Sequence, residues 1–138
     1  CSANPDLWFG YADDDDIDGS AKARAYESAA TQARLLCLRR CPLAQQRRCA
    51  GYAGEHREEY GVWAGVKLPG GQYRKRGELA RAHAVLRRIA AGEIASRQLP
   101  ENAALLAQHE GREQAAPAAV AAVFHLPGLP QPGPRSAA

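Results

Sequence analysis

The sequence contains no methionine, only two phenylalanines and two tryptophans, and few large aliphatic side chains, with alanine making up much of its apolar content. In 138 residues this supports a marginal core for one small domain with tails, and a metal or a partner is expected to add stability. No apolar run approaches ~20 residues, which excludes a transmembrane helix. The opening residues, CSANPDLWFG, lack both a charged n-region and an apolar h-region. A signal peptide is therefore not expected, and the protein is expected to be cytoplasmic. With cysteine first and methionine absent, residues are expected to precede Cys1.

There is no fifth cysteine. The four present are Cys1, then Cys37, Cys41 and Cys49 within a single short segment. Cys37 and Cys41 are four apart, so a continuous helix would place them on one face, on successive turns. Cys49 needs a break at Pro42 to swing back toward them, and Cys1 must arrive from a distance. Four converging thiolates can hold zinc or an iron–sulfur cluster. Structural zinc sites usually take two closely spaced pairs; the one-plus-three layout here suits a [4Fe–4S] cluster better than a single tetrahedral ion. Disulfides are the plain alternative, and a reducing cytosol disfavours them as permanent bonds. A cysteine followed by Ser2 and Ala3 also begins acylated lipoproteins, a reading that leaves three cysteines unexplained. Arg39, Arg40, Arg47 and Arg48 flank the ligands and would compensate a negatively charged tetrathiolate cluster.

The net charge of +3 conceals polarity along the chain. Residues 1–33 hold two bases against seven acids, residues 34–89 thirteen bases against four acids, and residues 90–138 three against four. So one-sided a middle suggests a polyanionic partner contacted by that region alone.

Asn4-Pro5 marks a turn beside the apolar Leu7, Trp8 and Phe9. Asp13–Asp16 and Asp18 form an acidic loop, after which Asp18 or Ser20 can cap a helix over residues 21–40. The residue before proline is driven out of the helical region, which predicts a break at Cys41 and a second helix over 42–59. Residues 61–65 read as a turn, and 67–76, with Pro69-Gly70-Gly71, as a loop or short wing. Leu79, His83, Leu86 and Ala90 recur at helical spacing, predicting a helix over 78–91 closed by Gly92. One more turn or helix is expected after Pro100, then an alanine- and proline-rich disordered tail from residue 115.

Several of these pieces occur together in one family. Cys1 followed by Pro5-Asp6-Leu7-Trp8-Phe9, three clustered cysteines with Cys41-Pro42, Gly61-Val62-Trp63-Ala64-Gly65 and a basic segment after it resemble the WhiB-like proteins of actinobacteria and their phages. The resemblance covers about residues 1–90. Most of that family places two and then five residues between its clustered cysteines, whereas this chain has three and then seven, a C-x3-C-x7-C spacing found in a minority branch.

The resemblance implies a small all-α fold: short helices wrapped around a four-cysteine [4Fe–4S] cluster, with a glycine–tryptophan turn, a basic C-terminal helix and a disordered tail. Its ligands would be Cys1, Cys37, Cys41 and Cys49. It also implies binding to the C-terminal domain of the principal sigma factor of RNA polymerase. Gly61, Val62, Trp63, Ala64 and Gly65 would form the interface, and Trp8 and Phe9 would pack beside the cluster or against sigma. Residues 1–66 would then be the cluster-binding and sigma-interacting domain, 67–92 the basic DNA-contacting segment, and 93–138 a weakly structured to disordered tail. Lys67, Arg74, Lys75, Arg76, Arg81, Arg87 and Arg88 are the candidate contacts to promoter DNA. No catalytic set emerges: the four histidines are scattered and the clustered aspartates lack the opposed geometry of an acid/base pair. The expected function is a redox- or nitric oxide-responsive regulator of transcription with no membrane association. A small disulfide reductase and a zinc-stabilised DNA-binding module are the rival readings.

Overall fold

A computed structural model of the chain describes residues 7–8 and 18–115. Cys1, Phe9, the Asp13–Asp16 run and the tail after residue 115 lie outside the described residues.

Helix α1 spans Gly19–Arg40, with Asp18 at its N-cap. The Asp18 carboxylate takes the Ser20 hydroxyl and makes no side-chain bond to the helix backbone. The helix stops where the sequence requires: Cys41 is extended (φ −82°, ψ 125°) because Pro42 follows it. Helix α2 then runs Leu43–Glu55, four residues short of the expected end at 59. Arg57 adopts a left-handed conformation (φ 52°) and the Glu58 N–H returns to the Ala53 carbonyl at 3.0 Å, which closes the helix end.

The next element modifies the all-helical expectation. Strands β1 (Val62–Trp63) and β2 (Val66–Lys67) form an antiparallel ribbon with Val62 opposite Lys67 and Trp63 opposite Val66. Ala64 (φ 49°) and Gly65 (φ 77°) make the two-residue connection. Two consecutive positive φ angles are what a tight hairpin needs to match the twist of its strands. The segment expected as a loop or wing continues through a 3-10 turn, Tyr73–Lys75, directly into α3, Arg76–Ala90. Gly92, at φ 76°, ends that helix.

Residues 93–115 hold the helix expected after Pro100 and are more ordered than a weakly structured tail beginning at residue 93. A 3-10 turn at Ser96–Gln98 leads into a sixteen-residue helix α4, Pro100–Ala115. Its Asn102 is fully buried, so the helix is docked on the body of the domain.

The core joins Ala50 and Ala53 of α2, Ala64, Val66 and Leu68 of the hairpin region, and Leu86 and Ile89 of α3. A second cluster joins Ala30 and Ala33 of α1 to Val62, with Leu7 and Trp8 packed on it. Five of the twelve buried hydrophobic residues among those described are alanine. Little apolar area is gained per residue, so polar contacts must carry much of the specificity. Tyr26 supplies one: its hydroxyl donates to the Leu68 carbonyl at 3.1 Å and accepts from the Gly61 N–H at 3.4 Å, fixing the hairpin base against α1. No helix among the described residues is long and apolar enough to cross a membrane.

Candidate cluster site

Three of the cysteines lie around the break between α1 and α2, near the hairpin turn. Cys37 is on the last turn of α1, Cys41 is the break residue after it, and Cys49 lies on α2. Cys37 and Cys41 are within hydrogen-bonding reach of each other, and Cys37 also senses Cys49. The tight turn faces them with its backbone. The Gly65 backbone lies beside Cys37 and the Ala64 backbone beside Cys49. Burial pushes the Cys37 thiol up to about 12, with the neighbouring Cys41 and Cys49 sulfurs adding to the effect and the Gly65 N–H opposing it. Cys49 is raised mainly by burial, and the Ala64 N–H counteracts this. Amides aimed at sulfur favour the thiolate form, which is the form a metal binds.

Among the described residues, no three Cys, His, Asp or Glu side chains already converge as ligands of a single ion. Cys37, Cys41 and Cys49 are free thiols here, and Cys1 lies outside the described residues. The donor chemistry nevertheless fits a thiolate-bound cluster. Three soft sulfurs lie around one helix break, two of them beside the backbone of the tight turn, and donors to sulfur are levers that set cluster potentials.

The backbone around the thiols is secured by side chains that the sequence did not single out. The last carbonyls of a helix lack intrahelical partners. Here buried Gln46 donates Nε2–H to the Cys41 carbonyl at 2.9 Å and the Cys37 carbonyl at 3.3 Å. Arg97 donates Nε–H to the Leu38 carbonyl at 2.6 Å. Buried Asn102 donates Nδ2–H to the Gly65 carbonyl at 3.1 Å and the Ser96 carbonyl at 2.8 Å. Its Oδ1 accepts from Arg34 Nε at 3.1 Å and Nη2 at 2.5 Å. Desolvation lowers the Arg34 pKa from its ordinary value.

Three of the four arginines expected around the ligands are engaged otherwise. Arg39 pairs with Glu113 at 3.3 Å, Arg48 donates to Gln45, and Arg47 lies against Gly92. Of the expected interface residues, Gly61, Val62, Ala64 and Gly65 are buried. Trp63 is half-buried, donates Nε1–H to the Tyr60 carbonyl at 2.8 Å, and stacks on exposed Tyr52 with ring centroids 5.6 Å apart. Trp8 packs within the chain against the Ala30–Ala33–Val62 cluster.

The basic residues divide into two groups. Arg74, Arg76, Arg81 and Arg87 are exposed along the 3-10 turn and α3, and Arg76 lies over the ring of the exposed Tyr73. Lys67 is held by Glu27 and lies 4.7 Å from the Tyr26 ring centroid. Lys75 donates to the Pro69 carbonyl at 3.1 Å and Arg88 pairs with Glu93 at 3.3 Å. His83, on the apolar face of α3, puts Nε2 2.7 Å from the Glu58 carbonyl, a packed histidine.

Comparison with known proteins gives the same assignment by a separate route. The family described as "Transcription factor WhiB" matches residues 2–79. The chain is 69% identical over all 138 residues to the "Transcriptional regulator WhiB5" of Mycobacterium tuberculosis, in strains CDC 1551 and H37Rv alike. The alignment takes in 100% of this chain and 97% of that protein. No solved structure matches. With the family match spanning more than half the chain and a relative this similar along its entire length, the chain belongs to the WhiB family of transcription factors.

Proposed function

We propose that this protein is a cytoplasmic [4Fe–4S] regulator of transcription that docks on the C-terminal domain of the principal sigma factor and adds contacts to promoter DNA. What supports the reading is that Cys37, Cys41 and Cys49 lie around the α1–α2 break beside the backbone of the Ala64–Gly65 turn. Cys37, Cys41 and Cys49 would hold the cluster together with Cys1. When bound, the cluster supplies a centre sensitive to redox state and nitric oxide. The chain's own residues shape the consequence. Gln46 and Arg97 fix the carbonyls of the α1 terminus, and Asn102 fixes the hairpin turn. A change at the sulfurs is thereby felt at Trp63, one residue before the turn.

Trp63 suits the sigma-docking role because its indole is half-exposed beside Tyr52, at 48% exposure, and Tyr60, at 38%. A cluster of aromatic side chains at the surface is the composition of an interface anchor. The exposed Arg74, Arg76, Arg81 and Arg87 supply the phosphate contacts.

Protein isolated without oxygen tests the cofactor directly through iron and acid-labile sulfide content. Iron with matching sulfide supports the cluster; a colourless, zinc-loaded protein refutes it. Co-purification with the sigma domain tests docking, and Trp63→Ala is expected to abolish it with the cluster intact. Normal binding by that variant would remove Trp63 from the interface.

A further inference from the structure

Asn102 is the most completely engaged polar side chain of the described residues. It is 0% exposed, and its amide reaches three separate parts of the chain. From α4 it grips the Gly65 carbonyl of the hairpin, the Ser96 carbonyl of the preceding 3-10 turn, and the Arg34 guanidinium of α1. Gly65 is enclosed on its other side by Leu38. A Cβ placed there would meet Leu38 Cδ2 at 3.0 Å and Asn102 Nδ2 at 3.4 Å. The residue is thus clamped between α1 and α4 while its own backbone lies beside Cys37. Asn102 itself lies beyond residues 2–79, the span that the family description matches.

We propose that Asn102 is a positioning residue for the sulfur ligands: by holding the Gly65 carbonyl from α4 it fixes the Ala64–Gly65 turn, and with it the backbone N–H groups beside Cys49 and Cys37 that would tune the potential of a bound cluster. The inference rests on the cluster reading above. Its physics is simple. Donors to sulfur stabilise the extra negative charge of a one-electron-reduced cluster, so firmer donors raise the potential and looser ones lower it. Arg34 serves the same end indirectly. By occupying Oδ1 it sets which end of the Asn102 amide faces the hairpin, leaving Nδ2 for Gly65.

The test uses Asn102→Asp, which keeps an acceptor for Arg34 but offers no donor to the Gly65 carbonyl. In the metal-free protein, hydrogen exchange at the Ala64 and Gly65 amides is expected to speed up by about tenfold, as loss of one buried hydrogen bond implies. In protein reconstituted without oxygen, potentiometric titration with dithionite is expected to give a lower potential, and the visible absorbance should bleach faster in air. Gln108→Ala, on an exposed face of the same helix, should match the wild type in both measurements. Unchanged exchange and unchanged potential in Asn102→Asp would overturn the proposal, as would an equal shift in Gln108→Ala. Should Asn102→Asp fail to fold, Arg34→Lys, which keeps the charge but loses the two-pronged contact, carries the same two readouts. Wild-type protein without iron and sulfide would sink the cluster reading instead, and the exchange arm would still decide whether Asn102 positions the turn.

Discussion

Arg97 and Leu38, 59 residues apart in sequence, are joined by a 2.6 Å hydrogen bond from the Arg97 Nε–H to the Leu38 carbonyl. The bond ties the 3-10 turn before α4 to the last turn of α1, next to Cys37. Arg97→Ala leaves that partly buried carbonyl without its partner, which costs about 1–3 kcal/mol. In urea the unfolding midpoint should fall with little change in slope. A midpoint equal to wild type would mean that water replaces the guanidinium at no cost.

Tyr26 gives a pH-dependent prediction. Burial raises its phenol above the ordinary 10.0, so the folded state favours the neutral form. That contribution is complete below the unfolded value and is lost as pH rises through the higher folded one. Tyr26→Phe should cost about 1 kcal/mol near neutral pH, through loss of the Leu68 and Gly61 bonds. It should also show a shallower loss of stability on the alkaline side. Denaturant midpoints compared on either side of pH ~10 check both parts.

The basic residues are expected to separate experimentally. Arg74→Ala and Arg87→Ala remove exposed charges, and each should weaken binding to promoter DNA and reduce the salt dependence by about one phosphate contact. Lys67→Ala should change that slope little, because Lys67 already pairs with Glu27 over the Tyr26 ring. Its effect should appear as a lower melting temperature. Binding isotherms at several salt concentrations distinguish the two groups.

Arg57 closes α2 in a left-handed conformation at φ 52°, and its side chain is exposed. A left-handed non-glycine residue carries a penalty of roughly 1–2 kcal/mol, partly offset by the ~0.5–1 kcal/mol of extra chain entropy that glycine loses on folding. Arg57→Gly should therefore stabilise the domain by up to about 1 kcal/mol, seen as a higher melting temperature. A lower one would show that the Arg57 side chain makes a compensating contact.

The helices were legible because their signals are local. Pro42 marked the end of α1, the Leu79–His83–Leu86–Ala90 stripe marked α3, and Gly92 marked its end. The same break returns α2, and with it Cys49, toward Cys37. Where α2 ends was less visible, because an arginine rather than a glycine takes the left-handed position. The hairpin was read as a turn because Val62–Trp63 and Val66–Lys67 are too short for alternation to register. Gln46, Asn102, Arg34 and Arg97 were not legible as part of the site at all. Each is an ordinary polar residue in an alanine-rich helical context, and only tertiary contact turns it inward.

The recognisable family signature closes at residue 79, yet Asn102 and Arg97, which brace its sulfur-bearing end, come from further along. Cutting the chain where the signature fades would sever a brace and not trim an ornament. Ala64 and Gly65 would keep their sequence while losing the grip that aims them. Fragments lacking α4 should thus misreport how firmly the intact protein holds the turn beside its thiols.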